Sequence, residues 1–250
     1  MKYFLSILIF LIVTVCQSQT TIEDKFQAAI TSESTGDYST AITLYESCIE
    51  GKYKTDECHL GEFKCWRELE SMENAFAIGM QGIELNPNHQ NLIVAFVAYS
   101  ISQNKAKFAI GFLEKTLNQH QESFALHYGL AIAYDAAEKY NQSEQQFKLA
   151  LVHRRIYDGT EYFEAWLGQA QHFYDRGIRA KEKYRVTKDE KLKDAFKAES
   201  DRMFSQAIAV CQIIDKDVRP NDQTNLSLLH VLYTITRQKD KAKELEGRLD

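Results

Sequence analysis

The sequence predicts an all-α fold made of repeated helix pairs, and three observations carry that expectation. Only two prolines occur in 250 residues, against a usual share of about 5%, so little interrupts helix formation. Small residues recur at a fixed interval, since Ala41, Ala75, Ala109 and Ser143 each stand 34 residues after the last. Around the fourth of these, Tyr140, Phe147 and Ala150 fall at the spacing of one helix face.

Composition narrows the function classes. At 44% apolar, the chain can bury a sizeable core. Thirty Lys and Arg against 35 Asp and Glu give a net charge of −5. That balance lacks the dense basic excess with which nonspecific nucleic-acid binders neutralise phosphates, so nucleic acid is not an expected partner.

The first segment differs from the rest. Lys2 precedes an apolar run from Tyr3 to Val15, broken only by Ser6 and Thr14 and ending in Cys16-Gln17-Ser18-Gln19. The run is shorter than the roughly 20 residues that span a bilayer. It reads as a secretory signal over residues 1–18, cleaved before Gln19, which leaves a periplasmic or secreted protein. A retained short anchor and lipid attachment at Cys16 are the alternatives, and the bulky Val15 counts against the second. No later apolar run is long enough for a membrane span.

Export leaves Cys48, Cys58, Cys65 and Cys211 in an oxidising compartment, where pairing is expected. If Cys58 and Cys65 share a helix, their Cα atoms lie about 10 Å apart, too far for a bridge. The expected disulfide therefore joins Cys48 to Cys58 or Cys65. Cys211 sits at a helix core position as a buried thiol.

The first repeat runs from the turn at Gly36-Asp37 through Tyr38, Ala41 and Tyr45 to Cys48. The second runs through Ala75, Gly79 and Gly82 to Glu84-Leu85-Asn86-Pro87, where the proline ends its helix. Leu130-Ala131-Ile132-Ala133-Tyr134 followed by Tyr140, Ser143, Phe147 and Ala150 is the fullest pattern: small residues let helices touch, and aromatics fill the wedge beside them.

This series resembles the tetratricopeptide repeat, whose unit is two antiparallel helices in about 34 residues. The resemblance implies a right-handed α-solenoid of stacked helix pairs, with repeats near 22–55, 56–89, 90–123, 124–158, 160–220 and a cap at 223–250. Three residues depart from the pattern in the second repeat: Glu62 replaces a large apolar residue, Phe63 a small one and Gly79 an aromatic. In the third, Val97 stands where Gly or Ala is usual.

The fifth repeat is interrupted. Trp166-Leu167-Gly168 fits a first helix, but the matching small residue of the second appears only at Ala207. The charged stretch between keeps helical apolar spacing at Leu192, Phe196 and Met203, which predicts an extended hairpin over 177–202 turning near Val186 to Lys188. Thr187-Lys188-Asp189-Glu190 reads as a capping box led by Thr187. A disordered charged linker is the alternative.

The sequence carries no HExxH, Walker, GxGxxG or GxSxG pattern. Cys58-His59 with Cys65 suggests a metal site only superficially, because no second histidine stands at ligand spacing. No catalytic residue, metal or cofactor is expected. In the resembling family the first helices line an inner groove. By that register Phe26, Ile30, Leu60, Lys64, Val94, Ala98, Tyr128, Ile132, Tyr162, Gln169 and His172 face it here, unless some are packing residues. Relatives that clamp a carboxy terminus use inner Lys and Asn; here Lys64 is a lone basic residue and the Asn is missing. The expected function is a non-catalytic scaffold of the cell envelope or extracellular space that binds a protein or peptide through the groove or hairpin. A secreted enzyme with a Cys/His or carboxylate site, and a self-associating structural module, are the rivals.

Overall fold

In the computed structural model, residues 21–153 and 162–249 are described, and their regular structure is helical. The helices are α1 (Ile22–Ser34), α2 (Tyr38–Glu50), α3 (Thr55–Glu68), α4 (Met72–Leu85), α5 (Gln90–Ser102) and α6 (Ala106–Leu117). They continue as α7 (Phe124–Ala136), α8 (Tyr140–His153), α9 (Tyr162–Val186), α10 (Glu190–Ile213), α11 (Gln223–Ile235) and α12 (Lys239–Glu246). A π-helical turn, Ile214–Val218, extends α10 shortly before Pro220. The all-α, paired-helix class read from the sequence is the class the structure has. Residues 1–18, read as a leader, lie outside the described residues.

Local chemistry sets the helix starts. Thr21 and Asp24 form a reciprocal capping box at α1, and Asp37, Ser123 and Asp222 each accept an amide from the first turn of α2, α7 and α11. The hairpin turns over residues 187–189, between helices of 25 and 24 residues. Its cap corrects the expectation: Asp189, not Thr187, accepts from the amides of Lys191 and Leu192. A carboxylate directly beside the helix reaches those amides, and its charge complements the positive helix end.

The helix ends carry a period of their own. Gly36, Glu70, Asn104 and Glu138 all have positive φ, at 82°, 56°, 57° and 57°, and they too stand 34 residues apart. In each turn the next residue's amide reaches back five positions, as Asp37 to the Ser32 carbonyl and Lys139 to that of Tyr134, both at 2.9 Å. Only the first position has glycine; Asn104 is the next most tolerant residue there, whereas Glu70 and Glu138 are held in it at a cost. Glu70→Gly and Glu138→Gly are therefore each expected to stabilise the protein by about 0.5–1 kcal/mol in urea unfolding. Gly36→Ala is expected to cost about 1 kcal/mol, through backbone strain alone, because nothing stands within 4 Å of the added carbon.

The chain divides into two compact units within α5, at Phe96 and Val97. In the first, α1 to α4 pack each against the next, and α1 also meets α3. The departures at Phe63 and Gly79 in that repeat now have one cause. A Cβ on Gly79 would stand 2.9 Å from Phe96 Cδ2 and 3.0 Å from Phe63 Cδ2. Phe63 and Phe96, both fully buried, thus fill the space an aromatic at 79 would take. Large and small have exchanged places across one interface.

In the second unit, α6 to α12 also pack against their chain neighbours. The core runs from Phe173 and Met203 through Ala207 and Cys211 to Leu226 and Leu232. The residues of the 34-residue series, Ala41, Ala75, Ala109 and Ser143, are all 0% exposed, as is Ala207 after the hairpin. Ser143 tolerates that burial by donating its hydroxyl to the Ala131 carbonyl at 2.8 Å.

Candidate functional site

Four of the residues assigned to an inner groove come together in the first unit. Phe26 and Ile30 lie one turn apart on α1, Leu60 and Lys64 one turn apart on α3, and all four line a groove of about 550 Å³. Gly61 sets its depth: a Cβ there would stand 2.4 Å from Tyr45 Cζ, so the ring lies directly against α3. The Tyr45 hydroxyl donates to Glu33 Oε2 at 2.6 Å. Burial, that hydrogen bond and the nearby carboxylate raise its pKa, so the phenol stays a neutral donor. Phe26 is buried edge-on against Tyr45 and Tyr53, whereas Ile30 is 41% exposed and Leu60 half-buried. The apolar floor is rimmed by Lys64 and Arg67 and by Glu57 and Glu68.

The remaining groove positions behave differently. Val94 and Ile132 are half-buried and Ala98 is exposed, while the Tyr162 side chain lies outside the described residues. Tyr128, Gln169 and His172, placed on the groove by register, are instead 8%, 5% and 4% exposed. Gly168 explains the first, because a Cβ there would stand 2.5 Å from the Tyr128 hydroxyl. Helix α9 thus approaches α7 closely enough to cover the ring. His172 packs between Phe147 and Phe173 and is held by a carboxylate.

That carboxylate belongs to a buried polar network that sequence reading missed. Asp135 Oδ1 lies 3.0 Å from His172 Nδ1 and 3.0 Å from Arg179 Nη2. Arg176, 6% exposed, donates to Glu199 at 3.1 Å and lies 4.6 Å above the Tyr140 ring. Burial would raise the Asp135 pKa, but the hydrogen bonds and charges of His172 and Arg179 outweigh it and hold the carboxyl below its ordinary value. Ser143 Oγ also lies 3.5 Å from His172 Nδ1. A nucleophilic triad needs serine and carboxylate on opposite ring nitrogens. Here both meet Nδ1, and the serine proton goes to Ala131, so the arrangement orders helices and does not activate the hydroxyl. No sequence signal marks it, because the partners are spread from 135 to 199.

The cysteines are buried free thiols at 48, 58, 65 and 211, so the expected bridge from Cys48 to Cys58 or Cys65 is not formed. Cys48 donates its thiol proton to the Ile22 carbonyl at 3.7 Å, and Cys58 donates to the Tyr53 carbonyl at 3.4 Å. Burial pushes the Cys58 and Cys65 thiols up to about 12 and that of Cys211 to about 12, which keeps them protonated. His59 packs against Gly82, with Nδ1 2.6 Å from the Thr55 carbonyl. Among the described residues no three His, Cys, Asp or Glu side chains group to hold a metal.

Glu62 is a buried acid of the first unit. At 5% exposure it accepts one hydrogen bond, from Trp66 Nε1 at 3.1 Å, while Oε2 meets no partner. Burial lifts its pKa to about 7, against the lowering effect of the Trp66 bond. The folded state therefore holds this proton more tightly than the unfolded chain, and stability falls as pH rises from about 4.5 through about 7. Glu62→Gln keeps the acceptor for Trp66. It is expected to stabilise the protein by about 2–3 kcal/mol at pH 8 and by little at pH 5, measured by urea unfolding at both.

No protein-family model matches the chain, and no curated protein matches it by sequence. Similarity of fold is extensive. A tetratricopeptide repeat protein from Parabacteroides merdae superposes over 93% of this chain and 80% of its own, at 15% identity and a TM-score of 0.53. PilW, a type IV pilus biogenesis factor, covers 91% of both chains at 13% identity and a TM-score of 0.50. A human IFIT1 dimer with m7Gppp-AAAA superposes over 86% of this chain at 15% identity and a TM-score of 0.55, but this chain spans only 46% of that one. The paired helices are those of the tetratricopeptide fold. Among the described residues, no helix is long and apolar enough to cross a membrane.

Proposed function

We propose, from a fold shared with tetratricopeptide repeat proteins, that this chain is a non-catalytic scaffold of the cell envelope or extracellular space. Its first-unit groove receives an apolar or aromatic segment of a partner protein. The observation that carries the reading is the groove itself, where exposed Ile30 and half-buried Leu60 stand beside Lys64, which has no described ion pair. An apolar floor with a charged rim is the pattern of a peptide-binding groove. The envelope setting rests on the leader-like segment at residues 1–18. Cell fractionation with amino-terminal sequencing tests it, and a mature chain starting elsewhere than Gln19 or retained in the cytoplasm would refute it.

Binding is tested by placing a photo-crosslinking residue at Ile30 in living cells and identifying the adduct. Ile30→Glu with Leu60→Glu is then expected to weaken affinity for that partner at least tenfold, about 1.4 kcal/mol. The melting temperature should stay nearly unchanged, because neither side chain is fully buried. Equal affinity in the double variant would remove the groove from the function.

A further inference from the structure

A second cleft lies wholly within the second unit, where the base of the long hairpin meets the α11–α12 turn. Its volume is about 580 Å³, within the range of ligand sites. Lys181 on α9, Lys197 on α10 and Arg237 in the turn line it, against one carboxylate, Asp201. None of the three cations forms an ion pair with a described residue, although the neighbouring cations Arg176, Arg179 and Lys193 all do. The floor is apolar, with buried Phe204 and half-buried Tyr184 and Ile235.

Two further observations give the cleft a sign. On a chain of net charge −5, the hairpin over 177–202 carries nine Lys and Arg against six Asp and Glu. Gln238, the N-cap of α12, makes no capping bond; its amide turns back to Thr236 Oγ1 at 3.0 Å. The positive end of α12 is therefore left without a side-chain cap at the rim of the cleft.

We propose that this cleft binds an acidic peptide segment, internal in its chain, that carries an aromatic or aliphatic side chain between its carboxylates. The carboxylates pair with Lys181, Lys197 and Arg237, and the apolar side chain lies on Phe204 and Ile235. Ser205, Thr236 and Gln238, also on the wall, supply donors and acceptors for the bound backbone. The site is independent of the first-unit groove and needs no free carboxy terminus.

The test is fluorescence anisotropy of the full chain with a labelled, acetylated and amidated Glu-Glu-Phe-Glu-Glu peptide. Binding is expected to weaken at least about fivefold in Lys181→Glu/Lys197→Glu and in Arg237→Glu, and to fall as salt rises. It should also weaken when the peptide's Phe becomes Ser, and stay unchanged in Lys64→Glu. If Arg237→Glu misfolds by circular dichroism, the exposed lysine pair still decides. No binding, binding unchanged by the lysine reversals, or binding abolished by Lys64→Glu would overturn the proposal. So would equal displacement by inorganic phosphate, which would make the cleft a phosphate site.

Discussion

Phe63→Ala is expected to destabilise the first unit by about 3–5 kcal/mol, and a compensating Gly79→Phe to return at least about 1 kcal/mol of that loss. The single change removes a fully buried ring and leaves a cavity beside Gly79 and Phe96. Gly79→Phe alone is destabilising, since its Cβ would already stand 2.9 Å from Phe96 and 3.0 Å from Phe63. Made together, the changes place the small residue on α3 and the aromatic on α4, the order the other repeats favour. A double-mutant cycle in urea measures the coupling. Additive losses would show that the two positions do not share one space.

The helical class and the small-residue contacts were legible because their cause is local and periodic. A residue that lets two helices touch must be small at every repeat, and Ala41, Ala75, Ala109 and Ser143 are all completely buried. The second repeat was legible only as an anomaly at Phe63 and Gly79, because compensation between two helices leaves no trace in either alone. The period at Glu70, Asn104 and Glu138 was hidden differently. Turn geometry repeats there without its residue, since a five-back hydrogen bond can hold a glutamate in the left-handed region.

The register reading agrees with the observed lining at Phe26, Ile30, Leu60 and Lys64. It failed at Tyr128, where the deciding fact is a missing Cβ at Gly168, forty residues away. It failed at His172 because its partners lie on other helices, and periodicity reports which face a residue occupies but not what another helix sets against it. The expectation of a bridge at Cys48 followed from the compartment, whereas packing has made these thiols small apolar core groups.

Asp135→Ala is expected to cost about 3 kcal/mol at pH 7, since it strips a buried histidine of its partner. His172 is almost fully enclosed, with 2% of its side chain exposed, and Nε2 already has no partner. Arg179 contributes less, because 39% of its side chain is exposed and solvent screens the pair. The carboxyl is held below its ordinary value of 3.8, so its contribution is complete above that pH and is lost as pH falls through the lower folded value. The gap between the wild type and Asp135→Asn in urea unfolding should therefore narrow at pH 3 relative to pH 7. A second variant separates charge pairing from packing. Asp135→Leu with His172→Leu removes both partners, leaves no orphaned imidazole, and is expected to cost less than Asp135→Ala alone. If the double variant costs more than the single, or if the gap keeps its size at pH 3, the network holds its helices by shape and not by charge.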